Sequence, residues 1–163
     1  MLPPSTGTTV EEAQPSVRGV TVNLTDCVEN SGTAGYNFES GNVVSCEDST
    51  VDVSLSCGEN GGYYFLVPED TRIKDIGPRN DFPRIRLIRP GGWSEDHGAL
   101  LTAGHVYVLW AYSGDLYLVK VDALWGKNAM FSWVWHSRLS QENAEKFLRE
   151  NASGPPGTPY YSR

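Results

Sequence analysis

The chain has 163 residues, 20% of them charged and 39% hydrophobic, enough for one domain with its own core and too apolar for a disordered chain. Its net charge of −7 is lopsided: residues 1–60 carry nine acids and one base (Arg18), whereas residues 61–163 carry eleven acids and twelve bases. That balance argues against nucleic acid as the main partner, because phosphate contacts need clustered lysine and arginine. No apolar run reaches the roughly 18–20 residues of a membrane helix.

In chain order, residues 1–16 are rich in Pro, Thr, Ser and Glu, lack periodicity, and are expected to form a flexible tether. The opening Met-Leu-Pro-Pro-Ser-Thr has neither a basic nor an apolar signal region, so the chain is read as carrying no signal peptide of its own. Strands are predicted at 18–24, 35–39, 42–45, 50–56, 62–67, 71–75 and 83–88, between turn clusters such as Glu-Asn-Ser-Gly at 29–32 and Gly-Glu-Asn-Gly-Gly at 58–62. Val51, Val53 and Leu55 alternate with Asp52, Ser54 and Ser56, which predicts one wet face. Ile85 and Leu87 alternate with Arg84, Arg86 and Ile88. The basic residues Arg72, Lys74, Arg79, Arg84, Arg86 and Arg89 read as the solvated face of these strands.

A loop at 90–98 leads to the most informative segment, residues 104–122, which predicts two strands joined by a Ser-Gly-Asp turn. Val106, Val108, Trp110 and Tyr112 share one face, and Tyr107, Leu109 and Ala111 the other. On the second strand Tyr117, Val119 and Val121 oppose Leu116 and Leu118. Two apolar faces imply a strand pair covered on both sides. A last strand at 130–136 sets Phe131, Trp133 and Trp135 on one side, which suits a core face. Ser140 is placed to cap a short helix whose apolar stripe is Ala144, Phe147 and Leu148. Residues 17–150 are thus read as one β-rich domain, an antiparallel β-sandwich or barrel-like sandwich with one short C-terminal helix, and residues 151–163 as an extended tail.

Cys27, Cys46 and Cys57 all lie in the first third of the chain, which predicts one disulfide and one free thiol. Cys46–Cys57 is the expected pair, since it would close adjacent strands. The spacings do not match a zinc site.

The pattern Gly104-His105-x-Tyr107-Val108, followed by Gly114-Asp115-x-Tyr117 and Val119-Lys120-Val121, resembles a hairpin of exported bacterial β-proteins of the HmuY-like type. Gly35-Tyr-Asn-Phe-Glu-Ser-Gly41 and Asp52-Val-Ser-Leu-Ser56 resemble an early segment of the same proteins. The resemblance covers about half the chain and implies an all-β, exported, non-enzymatic module. The pair of histidines with which that family clamps haem does not align with His97, His105 or His136.

No catalytic residue, metal site or cofactor is assigned from the sequence. Ser113 lacks the strand-to-helix setting of a nucleophile elbow, and the paired acids, such as Glu47/Asp48 and Glu95/Asp96, read as solvated turns. Trp93 and Trp125 are the tryptophans expected to be exposed, and they are the candidate platform for sugar rings. His97 and His105 are the candidate haem ligands. The leading expectation is an extracytoplasmic structural or protein-interaction module, part of a surface assembly or bound to a protein partner. A carbohydrate- or haem-binding module is the alternative, and a hydrolase the weakest one. Any binding surface is expected away from the hairpin, in the 90–98 loop, around Gly126 and in the tails.

Overall fold

The computed structural model describes residues 20–140 and 142–144. The expected tether at 1–16, the helix beyond Ala144 and the tail at 151–163 lie outside them. Among the described residues ten strands form: β1 (Val20–Thr25), β2 (Gly35–Asn37), β3 (Asn42–Val44), β4 (Val53–Cys57), β5 (Tyr63–Leu66), β6 (Arg72–Pro78), β7 (Gly98–Leu100), β8 (His105–Trp110), β9 (Asp115–Trp125) and β10 (Asn128–Arg138). They pair into two five-stranded sheets, ordered β1-β10-β9-β8-β6 and β3-β2-β4-β5-β7. Every pairing is antiparallel, as an all-β sandwich requires.

The inward faces meet in one core. Val22, Leu24, Tyr107, Leu109, Tyr117, Val119 and Phe131 from the long-stranded sheet pack on Tyr36, Val53, Leu55 and Phe65 from the short-stranded one. Aromatic edges lock the layers: the Phe131 ring meets Tyr36 at 5.7 Å and Phe65 at 5.5 Å, both nearly perpendicular. Polar tips of buried rings find partners. Tyr107 donates to the Leu100 carbonyl at 2.9 Å and accepts from the Thr102 amide, and the Trp133 indole donates to the Tyr36 hydroxyl.

The predicted double-faced hairpin is β8–β9, at the centre of its sheet. Its second face carries Val106, Val108, Trp110, Leu116 and Leu118 and is covered by Ile85, Ile88, Trp93 and Leu139. The strand predicted at 83–88 does not form; this stretch is the irregular cover itself. Its buried residues are Ile85 and Ile88, a spacing of three that alternation cannot produce. Pro83 and Pro90 at its ends supply no amide for a ladder. Strand β7 lies where a loop was expected, and its three residues are too few to show a period.

Lys74 also departs from expectation. It is buried, and its ammonium donates to the carbonyls of Arg89 and Gly91 while lying 4.5 Å from the centre of the Trp93 ring. It therefore pins the cover to β6 instead of facing solvent, and burial holds its pKa down at about 8. The helix start is as expected: the Ser140 hydroxyl accepts from the Asn143 amide, and its carbonyl from the Ala144 amide.

The disulfide joins Cys27 to Cys46, not Cys46 to Cys57. Cys27 follows β1 and Cys46 follows β3, so the bridge ties the edges of the two sheets together. Cys57 ends β4 and packs against the inter-sheet core with a free thiol. Its amide donates to the buried Asp26 carboxylate. The bridge spans 19 residues, so reducing it is expected to remove about 3 kcal/mol of stability. Denaturant melts with and without reductant measure this, and unfolded protein should titrate one thiol before reduction and three after.

Candidate functional site

One end of the sandwich carries an open cleft where the β8–β9 turn, the end of β10 and two loops of the other sheet converge. Gly114 makes the turn possible: its φ of 97° is open to glycine and strained for other residues. The turn is closed by Gly114 donating to the Ala111 carbonyl and Ala111 to that of Asp115, both at 2.9 Å. Opposite it, Asp52 and the loop before β4 are tied to the Phe38–Glu39 loop through the Phe38 amide, which donates to Asp52 Oδ2 at 2.8 Å.

Asp115 organises the cleft. It is 5% exposed and accepts four hydrogen bonds. Oδ1 takes the Trp135 indole and Arg138 Nε at 3.0 Å each; Oδ2 takes Arg138 Nη2 at 3.0 Å and the Ser113 hydroxyl at 2.7 Å. Burial alone would raise its pKa, but the hydrogen bonds from Arg138, Ser113 and Trp135 outweigh that and hold the carboxyl below its ordinary range. The strand register makes this cluster possible. Tyr117 lies opposite Trp135 and Leu116 opposite Ser137, so β10 carries one extra residue, His136, as a bulge. The bulge brings Arg138 opposite Asp115.

The result is an indole fixed by its N–H yet 44% exposed. Trp135, Trp133, Phe38, Tyr117, Glu39, Asp115 and Arg138 line a lobe of about 490 Å³. Its floor is aromatic: Phe38 stacks on Tyr117 at 4.7 Å and meets Trp133 edge-on at 4.9 Å. A second lobe of about 310 Å³ shares Glu39 and Tyr117 with the first and runs on past Asp52, Asp70 and Tyr112. Burial raises the pKa of Asp52, and burial together with the carboxylates of Asp115, Asp52 and Glu39 raises that of Tyr117. The Tyr117 hydroxyl at the junction therefore stays protonated at any physiological pH.

The sequence-derived candidates fall elsewhere. Trp93 is 6% exposed, so its expected exposure is wrong: it is the cover residue seated on Trp110 and under Lys74. Trp125 is exposed, as expected, at the far end of β9. His97 is exposed with a left-handed φ of 57° just before β7. His105 pairs through Nδ1 with the Asp75 carboxylate at 3.0 Å. His136 is held between the Ser137 hydroxyl and the Arg86 carbonyl. The register, with Val106 opposite Lys120 and Trp135 opposite Tyr117, sets His105 and His136 at opposite ends of the sheet. Among the described residues no group of three His, Cys, Asp or Glu side chains is arranged to hold a metal ion.

His136 has a structural consequence. Burial lowers its pKa against the pull of the Arg86 and Ile85 carbonyls, so the unfolded chain takes up the proton first as pH falls below about 6.5. Stability is present with the ring neutral and declines on acidification through that point. A denaturant midpoint that drops between pH 7 and pH 5, with a flatter profile for His136→Gln, is the expected result.

Trp135 and Tyr112 are the site residues that sequence reasoning missed. The alternation placing Trp135 on the inner side of β10 is correct, but the facing sheet does not extend over it. Comparison with family models, with curated proteins and with solved structures found no match for the chain.

Proposed function

We propose that this protein is a non-enzymatic, extracytoplasmic binding module that holds a saccharide in the Trp135 cleft. One observation carries the reading: an exposed indole immobilised by a buried carboxylate, in a cleft floored by three further aromatic rings. A sugar ring has an apolar C–H face and a hydroxyl edge. The indole face suits the first, and the carboxylate of Glu39 and the guanidinium of Arg138 suit the second. Fixing Trp135 in advance spares the ordering cost of binding. Four carboxylates (Glu39, Asp52, Asp70 and Asp115) line the two lobes against one arginine, which disfavours phosphate or uronate and selects neutral sugars. The disulfide supports an oxidising compartment, and no helix among the described residues is long and apolar enough to cross a membrane.

The test is a tryptophan-fluorescence titration with a panel of neutral oligosaccharides. Saturable binding is expected, weakened roughly tenfold or more by Trp135→Ala and unchanged by Trp125→Ala. A wild-type protein that responds to no member of the panel overturns the reading.

A further inference from the structure

Trp135 is not the only exposed aromatic side chain at this end of the sandwich. Tyr112, at the tip of the β8–β9 hairpin, is 79% exposed and lines the second lobe. An exposed tyrosine at a turn whose partners are a serine and a glycine has no packing role to account for it. Tyr117 and Glu39 border both lobes, so the lobes adjoin, one carrying the Trp135 ring and the other Tyr112. The second lobe also carries the polar side chains of Asn37, Glu39, Asp52 and Asp70. Asp52 spends Oδ2 on the Phe38 amide, and its Oδ1 has no hydrogen-bond partner among the described residues. Tyr117, kept protonated by its surroundings, lines both lobes and brings a neutral hydroxyl to their shared wall.

We infer that the two lobes form one groove that takes a chain of consecutive neutral sugar rings, one on Trp135 and a later one on Tyr112, with Asp52 accepting a hydroxyl of the ring between. This rests on the saccharide reading of the Trp135 lobe and adds chain length as the determinant of specificity. A site for a single terminal sugar would need the Trp135 lobe alone. Two separated aromatic rings flanking hydrogen-bonding side chains instead match the repeat of an extended polymer, in which apolar ring faces recur along one strand of linked hydroxyl edges.

The experiment is an isothermal titration of the full chain with gluco-, xylo- and manno-oligosaccharides of one to six rings. In the series that binds, affinity should rise at least tenfold from one ring to three or four and then level off. Tyr112→Ala and Asp52→Asn should each abolish most of that gain, so that long chains bind little better than a single ring. Tyr112 is exposed at a turn, and the amide side chain introduced by Asp52→Asn keeps an acceptor for the Phe38 N–H, so both variants should fold, as circular dichroism will show. Trp135→Ala should weaken every length. Equal affinity for one ring and four, or long-chain binding indifferent to Tyr112→Ala and Asp52→Asn but lost in Trp135→Ala, overturns the extended groove and leaves the Trp135 site standing. Absence of binding at every length overturns both.

Discussion

Replacing Phe131 with alanine is expected to cost about 3–5 kcal/mol. The ring is fully buried in β10, and it meets Tyr36 and Phe65 from the opposite sheet and Phe38 from the turn that follows β2. Its removal therefore opens a cavity between the layers at the point where they are held together. Tyr36 lies edge-on to Phe38, Phe38 stacks on Tyr117 and Phe65 meets Tyr107 edge-on, so these rings cannot collapse into the space without losing their own contacts. Phe131→Leu keeps much of the volume and should cost less than half as much. Urea melts of the two variants measure the difference. Equal losses would show that ring geometry, not filled volume, is what the position supplies.

Asp115→Ala is expected to lower stability by about 2–3 kcal/mol and to weaken ligand binding at the same time. The carboxylate is almost fully buried, whereas Arg138 is 62% exposed in its side chain. The ion pair itself is accordingly screened and contributes little. The larger loss comes from the Trp135 indole and Ser113 hydroxyl left without their acceptor, and from the freedom that Trp135 then regains. The sign of the pH dependence follows from the depressed pKa of Asp115. Its stabilisation is complete above the ordinary carboxylate range near 4 and is lost as pH falls through the lower folded value. The gap between wild type and variant should therefore be constant from pH 5 to 8 and close at strongly acid pH. A gap that persists undiminished at low pH would mean that Asp115 acts through packing instead of charge.

The fold was largely legible because its dominant element advertises itself. A strand pair apolar on both faces can be stable only if both faces are covered, and β8–β9 is covered by the other sheet on one side and by the 82–93 segment on the other. The identity of the second cover was not legible. Ile85, Leu87 and the arginines beside them alternate as a strand would, but the residues that pack inward are Ile85 and Ile88, three apart. Cysteine pairing was hidden for a similar reason: three thiols allow three bridges, and the choice depends on which strand ends meet across the sandwich.

The candidate site was less legible than the fold. Whether a tryptophan is core or platform depends on what stands opposite it, which is tertiary information. Trp93, in a glycine-rich loop, looks exposed and is sealed under Lys74; Trp135, in the middle of an aromatic strand, looks buried and emerges past the edge of the facing sheet. The turn residues Ser113 and Asp115 were read for their turn chemistry alone. Their second role, fixing Trp135 and Arg138, depends on the one-residue bulge at His136, which leaves no mark in the local sequence.

The central claim is that Trp135, held by Asp115, is the ring on which a neutral saccharide stacks. The most direct measurement compares fluorescence titrations of wild type, Trp135→Ala and Trp125→Ala with one oligosaccharide that binds. The account predicts saturable binding in wild type and Trp125→Ala and a loss of roughly tenfold or more in Trp135→Ala. Equal affinities for wild type and Trp135→Ala, or a loss confined to Trp125→Ala, would contradict it.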